Sequence, residues 1–174
     1  MGKVDREFYL ADAVTVARQL PGMELVMVSG EKCRRHLITE TEAYLGDSDR
    51  ACHASRGRTR RTEPMYLEGG HLYIYFVYGM HWMLNVVTGP AEHPQAVLIR
   101  GVSQYPGPGR VTKGLGIDGS FNREDLASSG RIWIENTGFR PELVAGPRVG
   151  IEYAGEPWIS KPWRFMIRNE KERI

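Results

Sequence analysis

Cysteine is scarce in this chain, with only Cys33 and Cys52 among 174 residues. Two thiols close at most one bridge, so a disulfide framework is excluded, and no zinc-type spacing surrounds them. They read as ordinary thiols in a reducing compartment. Long apolar runs are missing too. The charged start, residues 1–7, leads into neither a signal peptide nor a membrane span, so the expectation is a soluble, cytoplasmic protein with no membrane contact. Five histidines are present without HExxH or other short ligand spacing, which leaves metal catalysis unsupported. No G-x-S-x-G, P-loop or G-x-G-x-x-G occurs, and no lysine sits in an apolar setting near the acids, as a Schiff-base lyase needs. The expectation is therefore an absence of metal and cofactor.

Lysine is the other shortage: 5 against 18 arginines, for a net charge of only +2. Global basicity thus does not mark a nucleic-acid binder, but the distribution is uneven. Arg56, Arg58, Arg60 and Arg61 fall within six residues. A guanidinium is a planar fork that suits phosphate oxygens better than a flexible ammonium does. A solvated loop in an arginine-rich sequence explains the same cluster equally well.

Apolar residues at 10, 13, 14, 17 and 20 fit one helical face, and Pro21-Gly22 stops it. Residues 23–28 read as a strand, Ser29-Gly30-Glu31-Lys32 as a turn, and Cys33 or Arg34 to Tyr44 as the return strand. A polar loop follows over 46–62, with a short helical turn at 63–67. The clearest strand is 71–77; Tyr78-Gly79-Met80-His81 forms its tip, and 82–87 returns. Residues 96–102, 132–135 and 163–167 are further strands. The stretch 105–110 is rich in Gly and Pro, and Asn122 is placed to cap a short helix over 123–127. Strands and turns dominate without regular βαβ alternation. The expected class is α+β: one compact domain over residues 1–174 around a curved, mainly antiparallel β-sheet with a protruding β-hairpin.

Three constellations carry potential chemistry. In Glu40-Thr41-Glu42-Ala43-Tyr44, strand alternation puts Glu40, Glu42 and Tyr44 on one side. The two carboxylates lie about 7 Å apart at the backbone, close enough to affect each other's ionisation. One of them near an aromatic wall can hold and deprotonate a water; a solvent-facing edge carrying two acids reads equally from this fragment. In the hairpin, Leu72, Ile74 and Phe76 read as core, while Tyr73 and Tyr75 offer flat rings to the other face. Tyr78 at the tip suits either insertion between stacked base pairs or packing on a neighbouring loop. Finally, Asn85 and Arg100 interrupt apolar strands. The amide ties to backbone or reads a ligand edge, and the guanidinium pairs with a carboxylate, for which Glu42 is a candidate.

Taken in order, Glu40 to Gly46 with His53, Leu72 to His81 with Asn85, Val97 to Arg100, Gly109-Arg110, Ser120 to Asn122, Gly146 to Ile151 and Lys161 to Phe165 resemble the alkyladenine (3-methyladenine) DNA glycosylase family over nearly the whole chain. The resemblance implies a monomeric, monofunctional, metal-independent enzyme of base excision repair. Its partner would be double-stranded DNA containing damaged purines, approached from the minor groove. By the same resemblance Tyr78 fills the space of a flipped nucleotide, and Tyr44, His53 and Tyr75 enclose the base. Glu42 is the general base that activates water, Arg100 helps hold that water and the carboxylate, and Asn85 disfavours the exocyclic amine of guanine. Arg58, Thr59, Met80 and His81 would face the DNA backbone.

The chain departs from many relatives at Arg61-Thr62, where they carry Arg-Asn, and at Trp82-Met83, whose bulk beside the pocket asparagine is expected to narrow the lesion range. The long N-terminal extension of animal relatives is missing, which points to a bacterial or archaeal form acting at the nucleoid. Two rival readings share these residues: a catalytically silent protein that binds damaged bases, and a hydrolase of free nucleosides. The second needs neither a wedge nor phosphate-contacting arginines.

Overall fold

The computed structural model describes residues 2–168. Ten strands form one unclosed sheet, and every strand pair in it is antiparallel. They are β1 (Gly2–Lys3), β2 (Glu24–Ser29), β3 (Lys32–Tyr44), β4 (Leu72–Val77), β5 (His81–Thr88), β6 (Gln95–Val102), β7 (Tyr105–Pro106), β8 (Ile132–Asn136), β9 (Leu143–Gly146) and β10 (Arg164–Ile167). The main path runs β1-β8-β2-β3-β6-β5-β4, with β10 on β3, β9 on β10 and β7 on β6. Among the described residues three α-helices accompany it, besides short 3₁₀ turns: α1 (Arg6–Tyr9), α2 (Ala13–Gln19) and α3 (Pro108–Leu115). The class is α+β, as the lack of βαβ alternation implied.

The thirteen-residue β3 organises the sheet. Its first half pairs with β2 across the two-residue turn Gly30-Glu31. Its second half lies between β6 and β10, with Leu98 and Arg164 opposite Glu42. A register shift around Glu40 interrupts the β6 ladder beside the two acids, where a bulge re-aims side chains. Thr41 faces the other way, fully buried, and its hydroxyl donates to Ala17 O of α2 at 2.7 Å. The main core lies on that side, between the sheet and α2 and α3, and includes Val16, Leu20, Ile38, Leu72, Ile99, Leu115 and Phe165.

Helix α2 begins at the Asp12 cap, whose side chain accepts from Thr15 N. Ala13, Val16, Ala17 and Leu20 are buried, whereas Leu10 falls outside the helix and is exposed. Helix α3 emerges from what the sequence presents as a Gly/Pro-rich stretch. Pro108 occupies its first turn, and Gly116, with φ of 72°, ends it in the left-handed conformation. Its internal glycines serve packing, not chain reversal. A Cβ on Gly109 would lie 2.8 Å from His81 Nδ1, and one on Gly114 would lie 2.5 Å from the Tyr105 ring.

The expected helix over 123–127 does not form. Asn122 starts no helix there; it closes the 3₁₀ turn Gly119–Phe121, and its Oδ1 accepts Ile74 N at 2.9 Å. Arg123 N donates to Leu72 O, and Leu72 N donates to Glu124 O. The segment runs beside β4, whose edge supplies more hydrogen bonds than one isolated helical turn would. No helix among the described residues is long and apolar enough to cross a membrane.

Candidate active site

Strands β4 and β5 pair residue by residue from Leu72↔Val86 to Val77↔His81. Alternation sends Leu72 and Ile74 to the main core and Tyr73 and Tyr75 to a second cluster with Tyr44, Cys52, Met65 and Ala96. Phe76, expected in the core, is 45% exposed. It lies where the hairpin outruns the sheet, and it packs instead on Trp82, with ring centroids 4.7 Å apart. At the tip Tyr78 and Gly79 both take positive φ, 55° and 63°, and Met80 N donates to Val77 O. This is the turn whose twist matches a hairpin, but it holds a tyrosine in a conformation that favours glycine. Tyr78 is 85% exposed, and Met80 is exposed beside it.

Glu42 sits at the opposite extreme, with its side chain 1% exposed. Its Oε1 accepts the Val149 N–H at 2.8 Å, and its Oε2 accepts the Tyr44 hydroxyl at 2.9 Å. Arg100 Nε stands 3.7 Å from Oε1. The closer partner of Arg100 is Glu40, at 3.0 Å, so the expected Arg100–Glu42 pairing is the longer of two. Glu40 in turn is 3.3 Å from Arg164 Nε. Burial raises the Glu42 carboxyl above its ordinary range; the Val149 N–H, the Arg100 cation and the Tyr44 hydroxyl pull it back in part. Burial and the adjoining Glu42 charge raise the Tyr44 phenol further still, so it stays a proton donor.

A cleft of about 560 Å³ brings these groups together: Glu42, Arg100, Tyr44, His53, Tyr75 and Tyr78 all line it, as does Thr59. A smaller recess of about 50 Å³ continues behind the aromatic rings, and Asn85 lines it with Tyr73 and Cys52. His53 opens the 3₁₀ turn His53–Arg56. Its Nδ1 lies 3.0 Å from the Tyr73 hydroxyl, and its ring meets Tyr75 edge-on at 4.6 Å. Burial, with help from Arg61 and Arg56, pushes the imidazole down to about 4. The site histidine is thus neutral near pH 7. Asn85 donates its Nδ2 to Tyr73 O (3.1 Å) and Met83 O (3.4 Å), a backbone tie that fixes the amide at the recess wall.

Other expectations shift. Trp82 turns away from the cleft, against Phe76 and the Gly119 turn, so of the Trp82-Met83 pair only Met83 lines the cleft. Arg58 is held by Glu92 at 2.7 Å and Glu63 at 3.5 Å, with its guanidinium over the Tyr66 ring. His81 packs against Gly109 and does not line the cleft, nor does Met80. Among the described residues Arg50, Arg56 and Arg61 line the cleft without an ion pair, and they form its basic rim. Arg50 and the backbone amide of Val149 are the parts that sequence patterns did not reveal; an isolated loop arginine and a main-chain donor carry no signature.

A buried carboxylate beneath aromatic walls, beside three arginines without ion pairs, can hold a flat group of an anionic ligand next to a proton acceptor. The family model described as "Methylpurine-DNA glycosylase (MPG)" matches residues 7–106 and 103–171. A protein of Borrelia garinii subsp. bavariensis named "Putative 3-methyladenine DNA glycosylase" is 43% identical, covering 97% of both chains. Proteins of the same name from Myxococcus xanthus and Methanocella arvoryzae are 39% and 37% identical, over 98% and 97% of this chain and 93% and 94% of theirs. The chain belongs to the methylpurine-DNA glycosylase family, hydrolases that cleave the N-glycosyl bonds of damaged bases in DNA.

Proposed function

We propose that the protein acts as a monomeric, single-domain glycosylase that flips a damaged purine into the cleft from the minor groove and hydrolyses its bond to deoxyribose with a water activated by Glu42. Inside a stacked duplex the glycosidic bond is out of reach, so the nucleotide must leave the stack. Tyr78 fills the gap: its ring is exposed at the hairpin tip, where a wedge can enter between stacked bases. The rim of Arg50, Arg56 and Arg61, free of ion pairs although Arg61 lies over the Tyr75 ring, meets phosphates without reading sequence, as an enzyme that scans all DNA requires. Arg58 and Thr59 add backbone contacts once Arg58 exchanges its carboxylate partners for phosphate, and Met80 and His81 flank the wedge.

The observation that carries this reading is Glu42, a buried carboxylate on the wall of an aromatic cleft with hydrogen-bond donors on both oxygens. As the glycosidic bond lengthens, C1′ gains positive charge. A preorganised carboxylate stabilises that charge and removes a proton from the attacking water. Arg100 holds the water near Glu42. The products are a free purine and an abasic site.

Tyr44 and His53 on one side and Tyr75 on the other stack the base, at roughly 1–3 kcal/mol per ring. That is too little to choose a lesion alone. Selection combines weak pairing, leaving-group ability and the pocket edge, where the tied Asn85 amide meets the exocyclic amine of guanine. The substrates are 3-methyladenine, 7-methylguanine, hypoxanthine and ethenoadenine. Base release from lesion duplexes, compared with cleavage of the free nucleosides, tests the reading. Release from duplex is expected, and cleavage of nucleosides alone overturns it.

A further inference from the structure

The most completely buried ion pair among the described residues does not touch the cleft. Arg148 and Asp49 lie 99 positions apart in sequence, and both side chains are fully buried. The guanidinium is bidentate on the carboxylate, at 2.6 and 3.0 Å. Neither residue lines the cleft or the recess behind it.

What the pair touches is the site's framework. Arg148 donates to Ala43 O at 3.0 Å, at the residue between Glu42 and Tyr44, and its guanidinium lies 4.8 Å from the Tyr44 ring and 4.9 Å from the Trp163 ring. The next residue, Val149, donates its N–H to Glu42. Asp49 accepts from Leu45 N and Ala51 N, both at 3.1 Å, and its carbonyl accepts from Cys52 N. One pair therefore joins the end of β3, the loop that delivers His53, and the segment that carries Val149. With four donors on its two oxygens, the Asp49 carboxylate has no hydrogen-bonding capacity to spare.

We infer that Arg148 and Asp49 are positioning residues for excision: their buried pair holds the Val149 N–H on Glu42 and the Tyr44 ring in place, and so acts on bond cleavage and not on DNA binding. The inference rests on Glu42 being the general base. A carboxylate that loses a backbone donor becomes easier to protonate. The groups facing Glu42 are Glu40 and Tyr44 on its own strand, Arg100 on β6, Arg164 opposite it on β10, Tyr75 on β4 and the Val149 amide. Only the Val149 amide and the Tyr44 ring depend directly on the pair, so loosening the pair weakens the donors without removing the cation at Arg100.

The test uses the full chain with Arg148→Lys and, because an unpaired buried charge endangers folding, the neutral double substitution Asp49→Asn with Arg148→Gln. Single-turnover base release is followed against pH, lesion-duplex affinity is measured alongside, and the Glu42 carboxyl is titrated by carbon-13 NMR. The expected result is excision slowed 10- to 100-fold, affinity within about threefold of wild type, and both the acid limb and the Glu42 titration moved to higher pH, with the lysine variant intermediate. A folded variant with wild-type single-turnover rate and an unmoved Glu42 titration overturns the inference. Glu42→Gln, measured in parallel, separates the two claims: an active Gln variant removes the general base itself, whereas an inactive one beside fully active pair variants removes only the positioning role.

Discussion

The hairpin tip and the floor of the cleft belong to one sheet, yet they are built by opposite rules. At the tip, Tyr78 is exposed and held in a left-handed turn, with no core behind it. At the floor, Glu42 is buried with a donor on each oxygen, backed by an ion pair with no solvent contact. The tip's groups gain little from folding, as the proposed wedge role requires. The floor's charges are costly to bury and are kept in place by many partners. Changes at the floor should therefore alter chemistry and the stability–pH relation, while changes at the tip alter access to the base with little effect on the fold.

The largest expected effect separates the two regions cleanly. Replacing Glu42 with Gln should lower excision at least about 10³-fold, within the usual span of general-base catalysis, with lesion-DNA binding retained in a gel-shift or anisotropy assay. Its folded-state carboxyl is raised by burial, so its contribution to stability is present below the unfolded-state value and lost as pH rises through the folded-state one. Near neutral pH the Gln variant should thus unfold no earlier than wild type in thermal melts. Lower stability at pH 7 with wild-type stability at pH 4 would reverse that sign.

Next comes the tip. Tyr78→Ser should slow excision from fully paired duplex by about 10- to 100-fold and far less from a lesion in a mismatch or single strand, where unstacking costs less. An exposed residue in a costly turn conformation carries little stability, so the melting free energy should stay within about 0.5 kcal/mol. Equal loss on paired and single-stranded lesions would assign Tyr78 to the pocket instead.

A smaller effect concerns acid. The imidazole of His53 is pushed down to about 4 by burial and neighbouring arginines. A group depressed in the fold adds stability above its unfolded value, near 6.5, and loses it as pH falls toward about 4. His53→Gln should flatten that part of the stability–pH curve in urea unfolding, and an unchanged slope would contradict the buried neutral ring. Smallest of all, Arg58→Ala should weaken DNA binding only about two- to threefold and reduce the salt slope by less than one contact, because Glu92 and Glu63 already hold that side chain. Arg56→Ala, with no carboxylate to leave, should lose more.

The same contrast explains how much was legible in sequence. Alternation over 71–77 and 82–87 located the hairpin, its tip and the two faces, because each strand there buries side chains on a period of two. Glu40, Glu42 and Tyr44 were placed on one side for the same reason, and Glu42 and Tyr44 do meet. Phe76 was misread because periodicity reports which way a side chain points, not where the sheet beneath it ends. Helix α3 was missed because glycines that admit His81 and Tyr105 look like chain breakers in a local window. Arg100 does pair with Glu42, the candidate its strand position offered, but the closer contact to Glu40 depends on the register shift beside that residue, which alternation alone does not record. The Val149 amide and the Arg148–Asp49 pair join segments about a hundred residues apart, and no local pattern records them.

The most direct test of the central claim is single-turnover base release from duplexes carrying one hypoxanthine, one ethenoadenine or methylated purines, for wild type and Glu42→Gln side by side. The account predicts release by wild type and none above background by the Gln variant, with both proteins binding the duplexes. Equal release by the two proteins, or binding without release by wild type, would contradict it.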